Sequence, residues 1–332
     1  MGLRALRRLD AAVRLLARLA ASTTRICLRY RVTGLAAEAG FFALLSLPPL
    51  VLGLVGSLGY VGEWIGNDVV SGLRERVSEL AGTFLTPESV ESVILPTFDD
   101  VARGGRFDVI SIGFVLSLWS GSRALNVYVD TVTIMYGLNG RRGIVATRAL
   151  SFSLYVASLI VGVVLIPLVL VGPSVIVSLL DTWGWPVDAT ALGGLYWPVV
   201  STLAVLGLAT LYHLATPVRS PFWRDTPGAV LALVIWILSS FALRLVISHS
   251  VGGTSIYGPL ATPIIVLTWL YFLAIAVLIG AALNAAIDDM FPTPARVLAR
   301  RAPTVSSLPV TPMPVLAADP RPAVEGAASA PD

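Results

Sequence analysis

Ser120, Arg123, Asn126, Val127 and Asp130 recur at three- and four-residue intervals, so on a helix they share one side. A guanidinium, an amide and a carboxylate would then form a polar stripe within a largely apolar stretch. Charges in such a setting face a partner, the interior of a bundle or water, because lipid solvates them poorly. Two readings stand evenly. The stripe is either the wall of a hydrophilic pathway or headgroup site, or glue between helices in which Arg123 or Asp130 pairs with a charge elsewhere.

Two further charges intrude on apolar stretches, Glu38 and Arg244. Glu38 stands near the start of its stretch, where a side chain can snorkel to the interface, so an interfacial role is preferred over a proton relay. Arg244 is deeper. A Glu38–Arg244 pair is disfavoured by depth, whereas Arg123 with Arg244 would attract an anion. The run from His249 to Pro259 contains Gly258 and Pro259, which permit a turn or a re-entrant segment, with the turn preferred.

The inventory for hydrolysis is thin. The chain has two histidines and one cysteine, Cys27, and contains no H-E-x-x-H, G-x-S-x-G or Walker sequence. His213 and His249 are expected at opposite membrane faces, which prevents a shared metal ion. Asp99-Asp100 and Asp288-Asp289 read as solvated helix ends. No catalytic residue, metal or cofactor is expected, and no nucleic-acid partner, since no aromatic residues interleave the arginines to stack on bases.

The elements that must hold these residues are written in the hydropathy. Of 332 residues 56% are hydrophobic and 13% charged, and the mean hydropathy of +0.82 excludes an ordinary soluble domain. Apolar stretches at about 35–62, 107–136, 147–172, 193–216, 227–249 and 260–287 each approach or exceed the ~20 residues a spanning helix requires. Only helices satisfy their own backbone in lipid at such lengths. The fold expected is an all-α polytopic membrane protein with six transmembrane helices.

Orientation follows from arginine. The connection 63–106 carries eight acids against four arginines, while Arg141, Arg142 and Arg148, then Arg219 and Arg224, then Arg296, Arg300 and Arg301 fall on the alternate connections. The positive-inside rule places both termini in the cytoplasm. Residues 1–31 are expected as an interfacial amphipathic helix, with Leu6, Leu9, Val13 and Leu16 opposite Arg4, Arg7, Arg8 and Arg14. Residues 32–290 form the spanning domain, in which Pro48 and Pro49 predict a kink or break in the first helix. Residues 291–332 are expected as a disordered, Pro- and Ala-rich tail.

Four stretches resemble the YihY/BrkB family of bacterial inner-membrane proteins, long labelled ribonuclease BN. They are Gly34 to Pro49; Arg123-Ala124-Leu125-Asn126 with Tyr128; Tyr212, Pro217, Arg219, Pro221 and Trp223-Arg224-Asp225 leading to Gly228; and Ile256-Tyr257-Gly258 followed by Trp269, Tyr271 and Leu278-Ile279-Gly280-Ala281. Where that family often has Gly-Ala-Glu-Leu-Asn, this chain reads Gly280-Ala281-Ala282-Leu283-Asn284 and lacks the carboxylate. The resemblance implies six spans with cytoplasmic ends and a link to envelope integrity or serum resistance.

The expectation is therefore a non-enzymatic membrane protein that moves or accommodates an amphipathic or anionic envelope molecule. Its candidate residues are Arg123, Asn126, Asp130, Arg244 and Glu38. A structural or assembly role, with the same residues locking helices, is the alternative. Ribonuclease activity is a third, carried by the old family label alone. Membrane lipid is the expected partner.

Overall fold

The computed structural model describes residues 2–65, 90–96, 107–162, 189–218, 220–250 and 261–301, with a few isolated positions in 74–99. Gly258, Pro259 and the tail after Arg301 lie outside these residues, as does most of the acidic connection 63–106. Within it, Arg74 is paired with Asp99 at 2.8 Å.

The described residues are helical, and no strand occurs among them. We number the long helices α1 (Gly2–Arg29), α2 (Val32–Ile65), α3 (Phe107–Met135), α4 (Ile144–Gly162), α5 (Ala189–Ala215), α6 (Thr226–Ser250), α7 (Ala261–Met290) and α8 (Pro294–Arg301). Stretches within α2, α4, α5, α6 and α7 are long and apolar enough to cross a membrane, which makes the chain a multi-pass membrane protein. Helix α3 is equally long at 29 residues but carries Asp108, Arg123 and Asp130. It reaches ~30 Å of hydrocarbon thickness comfortably at about 1.5 Å per residue. The sixth expected span therefore rests on a helix whose polar side needs shelter.

Packing shelters only part of that side. Helix α3 lies along α2 over their most extensive shared surface, and α7 contacts both α2 and α6. The core is built from small residues: Ala36 and Ala39 of α2, and Ala274, Ala281, Ala282 and Ala285 of α7, are fully buried. Lipid offers little hydrophobic drive for helices to associate, so close approach through small side chains supplies the dispersion contacts instead. Gly40 illustrates this, since a Cβ there would stand 3.3 Å from the Tyr271 backbone nitrogen. Backbone meets backbone most tightly at Gly228 of α6 and Gly280 of α7, where a Cβ on either would collide with the other's carbonyl oxygen.

One expectation, the start of the tail at 291, needs correction, and two others are sharpened. Helix α2 runs through Pro48 and Pro49 without a break. Upstream of the pair, the Ser46 hydroxyl donates to the Ala43 carbonyl at 2.7 Å, while the carbonyls that Pro48 and Pro49 leave without a helical donor are those of Leu44 and Leu45. The boundary at 291 falls too early, because α8 follows it and buries Arg296 to 1% exposure. The N-terminal helix α1 lies within the expected 1–31 and is anchored at its end. Val13 and Leu16 remain exposed, but Thr23 and Ile26 are buried and the end of α1 packs on α7. A turn with Arg31 at φ 50 then leads into α2.

Candidate functional site

The stripe on α3 divides in two. Ser120 and Val127 turn inward, and the Ser120 hydroxyl donates to the Phe42 carbonyl of α2 at 3.0 Å. Arg123 and Asp130 stay exposed, with Asn126 half-buried between them. Asn126 Nδ2 donates to Asp130 Oδ2 at 2.6 Å, and Ser151 of α4 donates to Asn126 Oδ1 at 3.3 Å. The Arg123 guanidinium lies 5.0 Å from the Phe42 ring centroid, a cation–π contact, and no described carboxylate pairs with it. Glu38 of α2 is exposed and near enough for its charge to act on Asp130. The open face of α3 is thus flanked by α2 on one side and α4 on the other, with cation and carboxylates separated along it.

Arg244 does not join this set. It is exposed on α6, and α6 shares no substantial surface with α3. The second cation beside the stripe is Arg148, counted among the arginines of a connection but standing within the apolar stretch of α4. It is half-buried on α4, and its guanidinium donates to the Trp119 carbonyl of α3 at 3.5 Å. Gly121 permits the α3–α4 approach, because Tyr155 of α4 occupies the space a Cβ would need. The Tyr155 hydroxyl also shares a 2.9 Å hydrogen bond with Ser117. Beside these contacts a groove of about 820 Å³ opens between α3 and α4, with Trp119, Phe152 and Arg148 in its walls.

A second polar assembly, which sequence reasoning missed, lies where α3, α5, α6, α7 and α8 end or begin. Asp288, expected as a solvated helix end, is instead buried to 2% exposure. Arg296 approaches its Oδ1 at 2.9 Å, Arg300 its Oδ2 at 3.3 Å and Arg224 its Oδ1 at 3.6 Å. Arg296 also donates to the Ser220 hydroxyl at 2.8 Å and lies 4.4 Å from the centroid of the Tyr136 ring. Next to it, the buried Asp225 accepts from or donates to His213 Nδ1 at 3.1 Å, according to the proton's position. Asn284 closes the assembly. Its Oδ1 accepts from Gly228 N at 2.7 Å and its Nδ2 donates to the Asp225 carbonyl at 2.8 Å. The signal available in the sequence was the alternation Asp288, Arg296, Arg300 around Pro292 and Pro294, which lets a short helix fold back.

This second assembly is architectural. Its groups join five elements and bond chiefly to one another, and Arg141 and Arg142 extend it by donating to the carbonyls of Ala299 and of Leu214 and Ala215. Among the described residues no three of His, Cys, Asp and Glu gather as a metal site. Ala282, at the position of the family's carboxylate, is fully buried in the core.

Comparison with known proteins agrees with this architecture. The model of the family described as Virulence factor BrkB matches residues 25–304. The putative ribonuclease-like protein YfkH of Bacillus subtilis is 25% identical over 250 residues, covering 75% of this chain and 87% of that protein. A UPF0761 membrane protein of Photobacterium profundum is 27% identical over 274 residues, covering 78% of this chain and 77% of its own. No solved structure matches. With its family match spanning the bundle from the end of α1 through α8, this chain belongs to the Virulence factor BrkB family of membrane proteins.

Proposed function

We propose that the protein is a non-enzymatic six-span protein of the bacterial inner membrane, with both termini cytoplasmic, that moves or accommodates an amphipathic, anionic envelope molecule along the open face of α3. The observation that carries this reading is the contrast between two kinds of polar residue. Those that join helices are buried and bonded to backbone: Tyr212 donates to the Val277 carbonyl at 2.7 Å, Thr133 to that of Ala215 at 3.1 Å, and Asn284 bridges Gly228 and Asp225. Arg123 and Asp130 are exposed. Glue of the first kind would be buried, because an ion left facing lipid at a helix centre costs about 2.5–3.5 kcal/mol on insertion scales.

Orientation is supported by the convergence of arginines from three connections, Arg141, Arg224 and Arg296 with Arg300, at one end of the bundle. That end is read as cytoplasmic. The name carried by YfkH invites a ribonuclease reading, which no described constellation of residues favours.

Single cysteines replacing Arg123, Asn126 and Asp130 in a Cys27→Ser background, treated with a membrane-impermeant thiol reagent from each side, test the proposal. Reaction at all three positions is expected, with loss of envelope integrity when Arg123→Met and Asp130→Leu are combined in a stably folded protein. Protection of all three from both sides would sink the pathway and leave the stripe as a structural seam.

A further inference from the structure

We infer that the groove between α3 and α4 seats an alkyl chain of an anionic glycerophospholipid, and that Arg148 holds its phosphate. The inference deepens the reading above and rests on it for the placement of α3 and α4 in the membrane.

Shape comes first. The cavity of about 820 Å³ falls within the ~300–1,000 Å³ typical of small-molecule sites. Its walls are apolar and open: Val115 and Trp119 on α3 are 64% and 54% exposed, and Ile144, Val145 and Phe152 on α4 are 90%, 82% and 44% exposed. Such residues in a row suit a hydrocarbon chain.

Charge selects the head. Among the lining residues Arg148 alone is charged, and its described contact is a long one to a carbonyl, not to a carboxylate. Residues 137–153 contain Arg141, Arg142 and Arg148 and no acid. The first turn of α4 adds the partial positive charge of its unpaired backbone N–H groups close to Ile144 and Val145. A guanidinium matches a phosphate geometrically as well as electrostatically. A zwitterionic head would bring a cation into this field, whereas a phosphatidylglycerol-type head would not. A free anion is disfavoured by walls that solvate only hydrocarbon. Arg123 stands one helical turn from Trp119 on the same α3, so a head leaving Arg148 would meet the stripe next.

The test is photocrosslinking of the full chain in lipid nanodiscs with phosphatidylglycerol or phosphatidylcholine bearing a diazirine in one chain. Adducts are mapped by mass spectrometry. The expected result is phosphatidylglycerol labelling concentrated on residues 115–122 and 144–153, about fivefold above phosphatidylcholine, which is the attraction one basic residue contributes at an anionic surface. Arg148→Gln should abolish that preference, Arg148→Lys should retain it, and Ala149→Trp should block labelling by both lipids. Elution as a monodisperse species confirms folding of each variant. Equal labelling by the two lipids, or labelling as strong along Ile237, Leu238 and Phe241 of α6, would overturn the inference. Failure of the stripe to react with thiol reagents, with groove labelling intact, would instead remove the pathway and leave a lipid site.

Discussion

Arg296 and Asp288 face each other at 2.9 Å with side chains only 2% and 3% exposed, so α8 is fastened to the end of α7 by an ion pair that water scarcely reaches. Removing one member of a buried pair leaves the other charge uncompensated, at a cost of about 3–5 kcal/mol, whereas replacing both with apolar groups is far milder. Asp288→Leu and Arg296→Met are each expected to lower thermal stability in detergent sharply, and the double variant to recover part of the loss, since Arg224 and Arg300 still lose Asp288. A double variant as unstable as the worse single would refute this account.

Truncation offers a separate check on the same clamp. A chain ending after Arg301 keeps every contact described for α8, whereas one ending after Phe291 loses both Arg296 and Arg300. The first is expected to unfold at the full-length temperature and the second well below it, as fluorescence-detected melting would report.

The contact of Gly228 with Gly280 leaves no room for a methyl group on either helix, and the displaced atoms would be backbone. Gly280→Ala should therefore separate α6 from α7 and abolish monodisperse elution. Gly207→Ala is the control, since a Cβ there meets nothing within 4 Å. Within a helix that change should stabilise by about 0.5–1 kcal/mol.

Asn284 satisfies two buried backbone groups on another element at 2.7 and 2.8 Å. Asn284→Ala leaves Gly228 N and the Asp225 carbonyl without their partner, at about 1–3 kcal/mol for each unsatisfied group. Asn284→Asp should be at least as destabilising, because it keeps the acceptor for Gly228 N but turns a buried carboxylate oxygen toward the Asp225 carbonyl. A melting series of the three proteins decides the order.

Burial pushes the Cys27 thiol upward from its ordinary range. The thiolate is the nucleophile, so raising the pKa shrinks the reactive fraction at neutral pH. Maleimide labelling of Cys27 is expected to be slow at pH 7 and still rising above the ~8.5 midpoint of a free thiol. A rate that plateaus below that midpoint would contradict the burial.

Much of the architecture was legible because it is local. A helix in lipid bonds its own backbone, so runs such as Val32–Val51 and Pro263–Met290 announce spans from composition alone. The three- and four-residue periodicity likewise identified one stripe on α3. What periodicity could not settle was which members of the stripe would be covered, and α2 covered Ser120 and Val127 while leaving Arg123 and Asp130 open.

By itself, then, the sequence determined a multi-pass helical membrane protein with a polar third helix and arginine-rich connections, because hydropathy and charge act on each segment separately. Only the tertiary structure decided that Arg148 and not Arg244 stands beside the stripe, and that α2 runs unbroken through Pro48 and Pro49. Only it buried Asp288 beneath α8. The physical reason is common to the first and last of these. Partners such as Arg148 with Trp119, 29 residues apart, or Arg296 with Ser220, 76 apart, meet through the packing of small residues between helices, which no single segment encodes.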